Sequence, residues 1–365
     1  MIPTAVTLSR ASTTGWIGLG AMGHHMAINL FTKTHAAHQS SSSGTPSAAP
    51  SFVICEQDDA RADKFVTDLR NKGGAELAQR VQRAGSGKEV ASLASRIMTM
   101  LPSTPQVESV YLDPSTGVAA GLPKDEEALH CDADAGASRR PHTILIDGTT
   151  LNPTAAMKVA KEIHEKSEGG AVMLDAPVSG GIVAAEAGTL TIMFGSPSPL
   201  ATALAVPMLQ RMAREGGVLP CGANGTGVGV KVCNNLILAI NQIALAEGLA
   251  LGKSLGIDPL LLHNVVNSSS GQSWSSRVNS PLPEVPNSPG SRNYTGGFQS
   301  RLMLKDVGLA LHAASEYALP TPMTWAARAV YDSVCSEGQG EMAGKDFSVV
   351  LEWLRTRQKE AVERG

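Results

Sequence analysis

Short apolar runs alternate with longer amphipathic ones over the first 220 or so positions, and then the alternation stops. Residues 14–19, 52–55, 97–101, 143–146 and 171–174 are apolar runs of strand length, each ending in Gly, Pro, Ser, Thr or acidic turn residues. Between them, residues 22–32, 60–71 and 154–166 carry the spacing of helices. Strands separated by helical segments predict a parallel, doubly wound α/β sheet with helices on both faces. Beyond Gly222 no further strand pattern occurs, so an all-helical region is expected from there to the end. The expected division is a leader over 1–12, an α/β domain over 13–223 and an all-α domain over 224–365.

Two stretches interrupt this pattern. Residues 33–51 include Ser40-Ser41-Ser42-Ser43-Gly44-Thr45-Pro46, and residues 113–141 are similarly poor in apolar periodicity. Such runs bury too little apolar surface to order themselves, and both are read as surface loop insertions. The opposite extreme lies at 226–256, with no proline, little charge and an abundance of Leu, Ile, Val and Ala. Apolar residues on nearly all sides predict a buried helix, on the order of 45 Å long. It contains Lys231-Val232-Cys233-Asn234-Asn235. Lys231 and Asn235 are four apart and share one face. A buried ammonium must be paired or lose its proton; the alternative is a lysine whose methylenes carry its charge out to water.

Composition narrows the classes of function. The chain has 365 residues, 42% hydrophobic and 17% charged, with a net charge of -3. That is enough apolar material for two cores, and no basic block follows a nucleic-acid backbone. Lys231, Asn234, Asn235, Asn241 and Glu247 interrupt the longest apolar run, which argues against a membrane span. The five cysteines are scattered without a Cys-x-x-Cys pair, as in a reducing compartment, and the nine histidines lack metal-ligand spacing. No metal is expected. The first fifteen residues hold Arg10, several Ser and Thr, and no acid, a composition that suits a mitochondrial transit segment.

Chemistry gathers where strands end. The first strand runs into Gly18-Leu19-Gly20-Ala21-Met22-Gly23 and then a helix. Strand, G-x-G-x-x-G and helix, in that order, form a dinucleotide fingerprint: a tight turn, a close backbone approach to pyrophosphate, and close helix–strand packing. Glu56 closes the second strand, where an acid would accept hydrogen bonds from the adenosine ribose hydroxyls and repel a 2′-phosphate. Gln57, Asp58 and Asp59 follow, with no arginine before Arg61, so NAD is favoured over NADP. The strand at 171–174 ends in Asp175-Ala176-Pro177-Val178-Ser179-Gly180-Gly181. Consecutive backbone N–H groups at Ser179, Gly180 and Gly181 could form a concavity for a carboxylate; an ordinary glycine turn is the alternative. Lys305-Asp306 lies in a further helical segment and by itself reads as a solvated ion pair.

The order GLGAMG, MLPS, DGTT, DAPVSGG, GTGVGVKVCNN and LMLKD resembles the β-hydroxyacid dehydrogenase family over nearly the whole chain. The resemblance implies a Rossmann-type domain followed by an all-α domain, and NAD as cofactor. It implies that Lys231 is the catalytic acid/base and that Asn235 helps hold substrate. It further implies that Ser179, Gly180 and Gly181 receive the substrate carboxylate. Gly18, Leu19, Gly20, Ala21, Met22 and Gly23 match the pyrophosphate loop. Leu101, Pro102, Gln106 and Thr150 match cofactor-contacting positions, and Lys305 matches a lysine near the nicotinamide. The stretches Ser269-Ser270-Gly271-Gln272-Ser273-Trp274-Ser275-Ser276, Asn293-Tyr294-Thr295-Gly296-Gly297-Phe298 and Lys345-Asp346-Phe347-Ser348 narrow the resemblance to members acting on 3-hydroxyisobutyrate. The implied reaction is its NAD-dependent oxidation to methylmalonate semialdehyde in valine catabolism, in the mitochondrial matrix or alternatively the cytoplasm. A homodimer or homotetramer is expected. The open alternatives are a sibling acting on tartronate, glyoxylate or succinate semialdehyde, and a non-catalytic NAD-binding relative.

Overall fold

The structure, a computed structural model, describes residues 9–40, 49–123 and 141–364. The chain divides into two compact units, Met1–Lys231 and Val232–Gly365.

Among the described residues, the first unit is built on a nine-stranded sheet. It opens with β1 (Thr13–Ile17) and α1 (Gly23–Ser40), then β2 (Ser51–Cys55), α2 (Asp59–Gln79), β3 (Val81–Arg83), α3 (Gly87–Leu93) and β4 (Arg96–Thr99). It continues through α4 (Thr104–Leu112), α5 (Val118–Gly121), β5 (Thr143–Asp147), α6 (Pro153–Lys166) and β6 (Ala171–Asp175). The last elements are β7 (Val178–Ser179), α7 (Gly181–Ala187), β8 (Leu190–Gly195), α8 (Pro199–Gln210) and β9 (Ala213–Gly222). The strand order is β3-β2-β1-β4-β5-β6-β8-β7, with β9 beside β8. All neighbours from β3 to β6 are parallel. All five residues of β1 are buried, as a central parallel strand covered on both faces requires. The helices show why they form: α6 is capped by Asn152, carries Pro153 in its first turn, and buries Ala156, Val159, Ala160 and Ile163 at helical spacing. Trp16, Phe31, Phe52, Phe65 and Phe194 anchor the core.

As expected, the sheet is parallel from β3 to β6, and β8 then runs antiparallel to β6 and β7. Three expectations are corrected here. Residues 33–40 are not loop but the last turns of α1, where His35 is buried and bonded to Gln39; no breaker precedes Gly44, and residues 41–48 lie outside the described set. Within 113–141, residues 118–121 form α5, with Gly121 against the Lys88 backbone, while 124–140 lie outside the described set. Of the expected leader, residues 1–8 also lie outside it, but the end of that segment is part of the domain. The Arg10 guanidinium donates to the Ala91 carbonyl at 2.9 Å and to Thr143 at 2.7 Å, and Arg96 donates to the Ala11 carbonyl.

The second unit is helical, over α9 (Thr226–Ser254), which begins in the first unit, and α10 (Pro259–Ser268), α11 (Trp274–Arg277), α12 (Ser300–Glu316), α13 (Pro322–Ser336) and α14 (Val350–Arg364). Its core joins Ala239, Ile243, Ala246 and Leu249 of α9 to Met303, Val307, Tyr331, Phe347 and Val350. Helix α9 is long and apolar enough to cross a membrane by length and composition, a property it shares with core helices. It is not buried all round as its sequence suggests: Val230, Ile237 and Leu251 are exposed.

Candidate active site

The strand order reverses at β1, whose neighbours β2 and β4 lead away in opposite directions. Ligands of open α/β sheets bind at the carboxyl ends of strands at such a reversal. The Gly18–Gly23 turn sits there, and its glycines have separate physical reasons. Gly18 has φ +93°, and a Cβ on it would lie 2.4 Å from the Met100 carbonyl oxygen. A Cβ on Gly23 would lie 2.1 Å from the Gly18 carbonyl oxygen, so only glycine lets α1 start this close to the turn. A Cβ on Gly20 would meet no described atom within 4 Å; it faces open space. That is the place where a backbone can approach a pyrophosphate, so the loop fits a dinucleotide. Leu19, Ala21 and Met22 complete the same turn.

Glu56 stands beside it. Its Oε2 accepts from the Leu19 N–H at 2.7 Å and its Oε1 from the Asp58 N–H at 3.1 Å. The ribose candidate is therefore also a brace for the glycine turn.

The loops after β4 and β5 are joined by a buried carboxylate that sequence reading left out. Asp147 Oδ1 accepts from the Thr99 hydroxyl and the Thr149 hydroxyl, both at 2.7 Å, and from the Thr149 N–H. Thr149 in turn accepts from the Leu101 N–H at 3.0 Å, and Tyr111 bonds to Thr99. This network fixes Leu101 and the Asp147-Gly148-Thr149-Thr150 turn. Pro102 and Gln106 are exposed next to it, with Gln106 bonded to Ser103. Burial pushes the Asp147 carboxyl up to about 6, against the hydrogen bonds from Thr149 and Thr99. A carboxyl raised above its ordinary 3.8 takes up a proton on folding. Its contribution to stability is complete below pH 4 and is lost as pH rises to about 6. We expect the wild type to lose up to about 3 kcal/mol across that window relative to Asp147→Asn. Denaturant unfolding of both proteins at each pH checks this; parallel curves would refute it.

Ser179, Gly180 and Gly181 close β7 and open α7. Gly180 has φ +132° and Gly181 φ +68°, both in the region that favours glycine. A Cβ on Gly181 would meet no described atom within 4 Å, so this turn too presents bare backbone.

Lys231 is buried in α9, 7% exposed. The start of that helix is held by a second buried carboxylate missed in sequence, Asp175 at the end of β6. Its Oδ1 accepts from the Gly225 N–H at 2.6 Å and its Oδ2 from the Val228 N–H at 2.9 Å. Burial raises the Asp175 carboxyl, and the backbone hydrogen bonds counter that rise. A Cβ on Gly227 would lie 2.7 Å from the Gly195 nitrogen and the Met193 carbonyl oxygen, so this turn of α9 packs on bare β8 backbone.

One turn further along α9, Asn235 is 1% exposed and its Nδ2 donates to Asp306 Oδ2 at 2.6 Å. A carboxylate only accepts, which fixes the orientation of the amide. Its Oδ1 accepts from Asn234, so the second Nδ2 proton is the donor left to offer. Lys305 pairs with Asp306 at 3.2 Å. Asp306 is only 2% exposed, so this is not the solvated ion pair expected from sequence. The Asp306 signal was present as an acid in an apolar helical run, but nothing local ties it to Asn235, 71 positions away. Among the described residues no three His, Cys, Asp or Glu side chains gather as metal ligands.

Residues 13–225 match the profile of the NAD binding domain of 6-phosphogluconate dehydrogenase. Residues 225–354 match that of the NAD-binding domain of NADP-dependent 3-hydroxyisobutyrate dehydrogenase. A probable mitochondrial 3-hydroxyisobutyrate dehydrogenase of Dictyostelium discoideum is 36% identical, over 97% of this chain and 94% of that protein. Its Arabidopsis thaliana counterpart is 41% identical over 92% and 86%. The chain belongs to the 3-hydroxyisobutyrate dehydrogenase family. A solved Mycobacterium tuberculosis 3-hydroxyisobutyrate dehydrogenase, described with L-serine, superposes with a TM-score of 0.75. It is 31% identical, covering 94% of this chain and 99% of that one. As a member of the 3-hydroxyisobutyrate dehydrogenase family, the chain is an NAD-binding oxidoreductase with a Rossmann domain followed by a helical one.

Proposed function

We propose that this protein oxidises 3-hydroxyisobutyrate to methylmalonate semialdehyde with NAD, as a step of valine catabolism in the mitochondrial matrix, and acts as a homodimer or homotetramer. The observation that carries the reading is a buried lysine, Lys231, one helical turn before an amide, Asn235, that Asp306 holds in a single orientation. NAD, when bound, accepts the hydride from the hydroxyl-bearing carbon. That transfer requires the hydroxyl oxygen to lose its proton. The Lys231 amine takes it in oxidation and returns it in reduction. Its charge, held away from water, also opposes the negative charge that develops on that oxygen. The free Nδ2 proton of Asn235 orients the substrate, and the bare backbone at Ser179, Gly180 and Gly181 receives the substrate carboxylate. Gly18, Leu19, Gly20, Ala21, Met22 and Gly23 cradle the pyrophosphate, and Glu56 takes the adenosine ribose. Leu101, Pro102, Gln106 and Thr150 line the cofactor, and Lys305 approaches the nicotinamide. The mitochondrial assignment is supported by relatives named mitochondrial from protist, plant and mammal.

The test is NADH formation by the purified protein with a panel of hydroxy acids, NAD and NADP in parallel. Turnover of 3-hydroxyisobutyrate with NAD, well above tartronate-, glyoxylate- or succinate-semialdehyde-related substrates, is expected. Preference for one of those reassigns the substrate, and no turnover on any of them defeats the enzymatic reading.

A further inference from the structure

The carboxylates that would turn a 2′-phosphate away from this site also hold a group able to welcome it. Arg61 lies on the first turn of α2, with its guanidinium Nε 3.3 Å from Asp58 Oδ2 and its Nη1 4.0 Å from Glu56 Oε1. Asp58 plays two parts: its Oδ1 caps α2 by accepting from the Arg61 N–H at 3.1 Å, and its Oδ2 draws the same residue's side chain back toward β2. The Glu56 side chain is only 9% exposed, whereas that of Arg61 is 59% exposed. The carboxylate is thus fixed and the guanidinium can be moved. A dinucleotide whose adenosine ribose sits on Glu56 would bring any 2′-phosphate between two carboxylates and one guanidinium that they already neutralise.

We propose that Arg61 is a masked ligand for the 2′-phosphate of NADP, and that Glu56 and Asp58 together set cofactor choice by occupying it. This rests on Glu56 being the ribose acceptor. Removing both carboxylate charges takes away the two acids that Arg61 pairs with, so that its guanidinium can turn to a phosphate. Cofactor preference then depends on the balance at Arg61 as well as on the single acid that closes β2.

The experiment measures Kd for NAD and NADP by titration calorimetry on the full-length protein, without substrate. The variants are Glu56→Gln, Asp58→Asn, Arg61→Ala, the two carboxylate changes combined, and that pair with Arg61→Ala. Asparagine keeps the cap of α2, so Asp58→Asn removes charge and not the helix start. The double variant should bind NADP about tenfold or more tightly than the wild type, the worth of one charge-assisted bond. Adding Arg61→Ala should cancel that gain, while Arg61→Ala alone leaves NAD binding within about twofold. The gain should also shrink as salt is raised. If Glu56→Gln changes the Kd of neither cofactor, the ribose role of Glu56 fails. If the double variant gains NADP affinity that survives Arg61→Ala, the ribose role stands and the masked-ligand proposal is overturned. It is equally overturned if the double variant gains nothing while Glu56→Gln alone weakens NAD.

Discussion

Lys231→Ala should lower turnover by about a thousandfold or more, the combined worth of a general base and of a charge facing the developing oxyanion. NAD affinity should change little, because the glycine turn, Glu56 and the Leu101 loop are carried by other elements of the sheet. The buried position of Lys231 makes a second variant necessary, since truncation also leaves a void. Lys231→Met fills most of that volume, has no titratable group, and should be as inactive as the alanine form. Calorimetry for NAD and initial rates of NADH formation separate the two effects. A methionine variant retaining a tenth of wild-type turnover would remove Lys231 from the chemistry. Loss of NAD binding together with turnover would instead place its role in the fold.

What could be read from sequence follows the range of the interactions involved. Turn glycines announce themselves because a positive φ or a backbone contact of 2.4 Å permits no other residue, as at Gly18. Periodicity gave α6 and α12, whose buried positions repeat at 3.6 residues. It did not give β8 and β9, because strand preference is set by tertiary neighbours more than by local sequence; β9 also contains Gly216, Gly217 and Pro220, which read as breakers. The carboxylates Asp147, Asp175 and Asp306 carry no local sign of their task. Their partners lie up to 71 positions away, and a buried acid looks in sequence like an exposed one. The stretches that narrow the resemblance to members acting on 3-hydroxyisobutyrate are joints of the helical unit. Asp346 accepts from the Phe298 N–H, from Asn279 and from Ser348, so Asn293–Phe298 and Lys345–Ser348 fold onto each other. Ser273 and Ser276 form a capping box at α11. Such stretches identify a lineage through its architecture.

Asp175→Ala should be the most damaging change outside the glycine turns. The side chain joins the end of β6 to the start of α9, and both of its oxygens are committed to backbone N–H groups. Its loss strands the buried donors of Gly225 and Val228 and opens a void beside Gly195, whose backbone leaves 2.5 Å between a would-be Cβ and Asp175 Oδ1. Removing a buried acceptor with two partners costs about 3–5 kcal/mol, or roughly 10 °C in melting temperature for a chain of this length. Asp175→Asn should recover only part of this, since its amide nitrogen would face one of the two donors. Scanning calorimetry of the three proteins gives the ranking, and amide exchange at Gly225 and Val228 locates the damage. Because Lys231 lies within one turn of Val228, the surviving fraction of Asp175→Ala should also lose turnover while keeping NAD affinity. An alanine variant that melts within about 2 °C of wild type would show that the Gly227 contact with β8, and not the carboxylate, holds the helix in place.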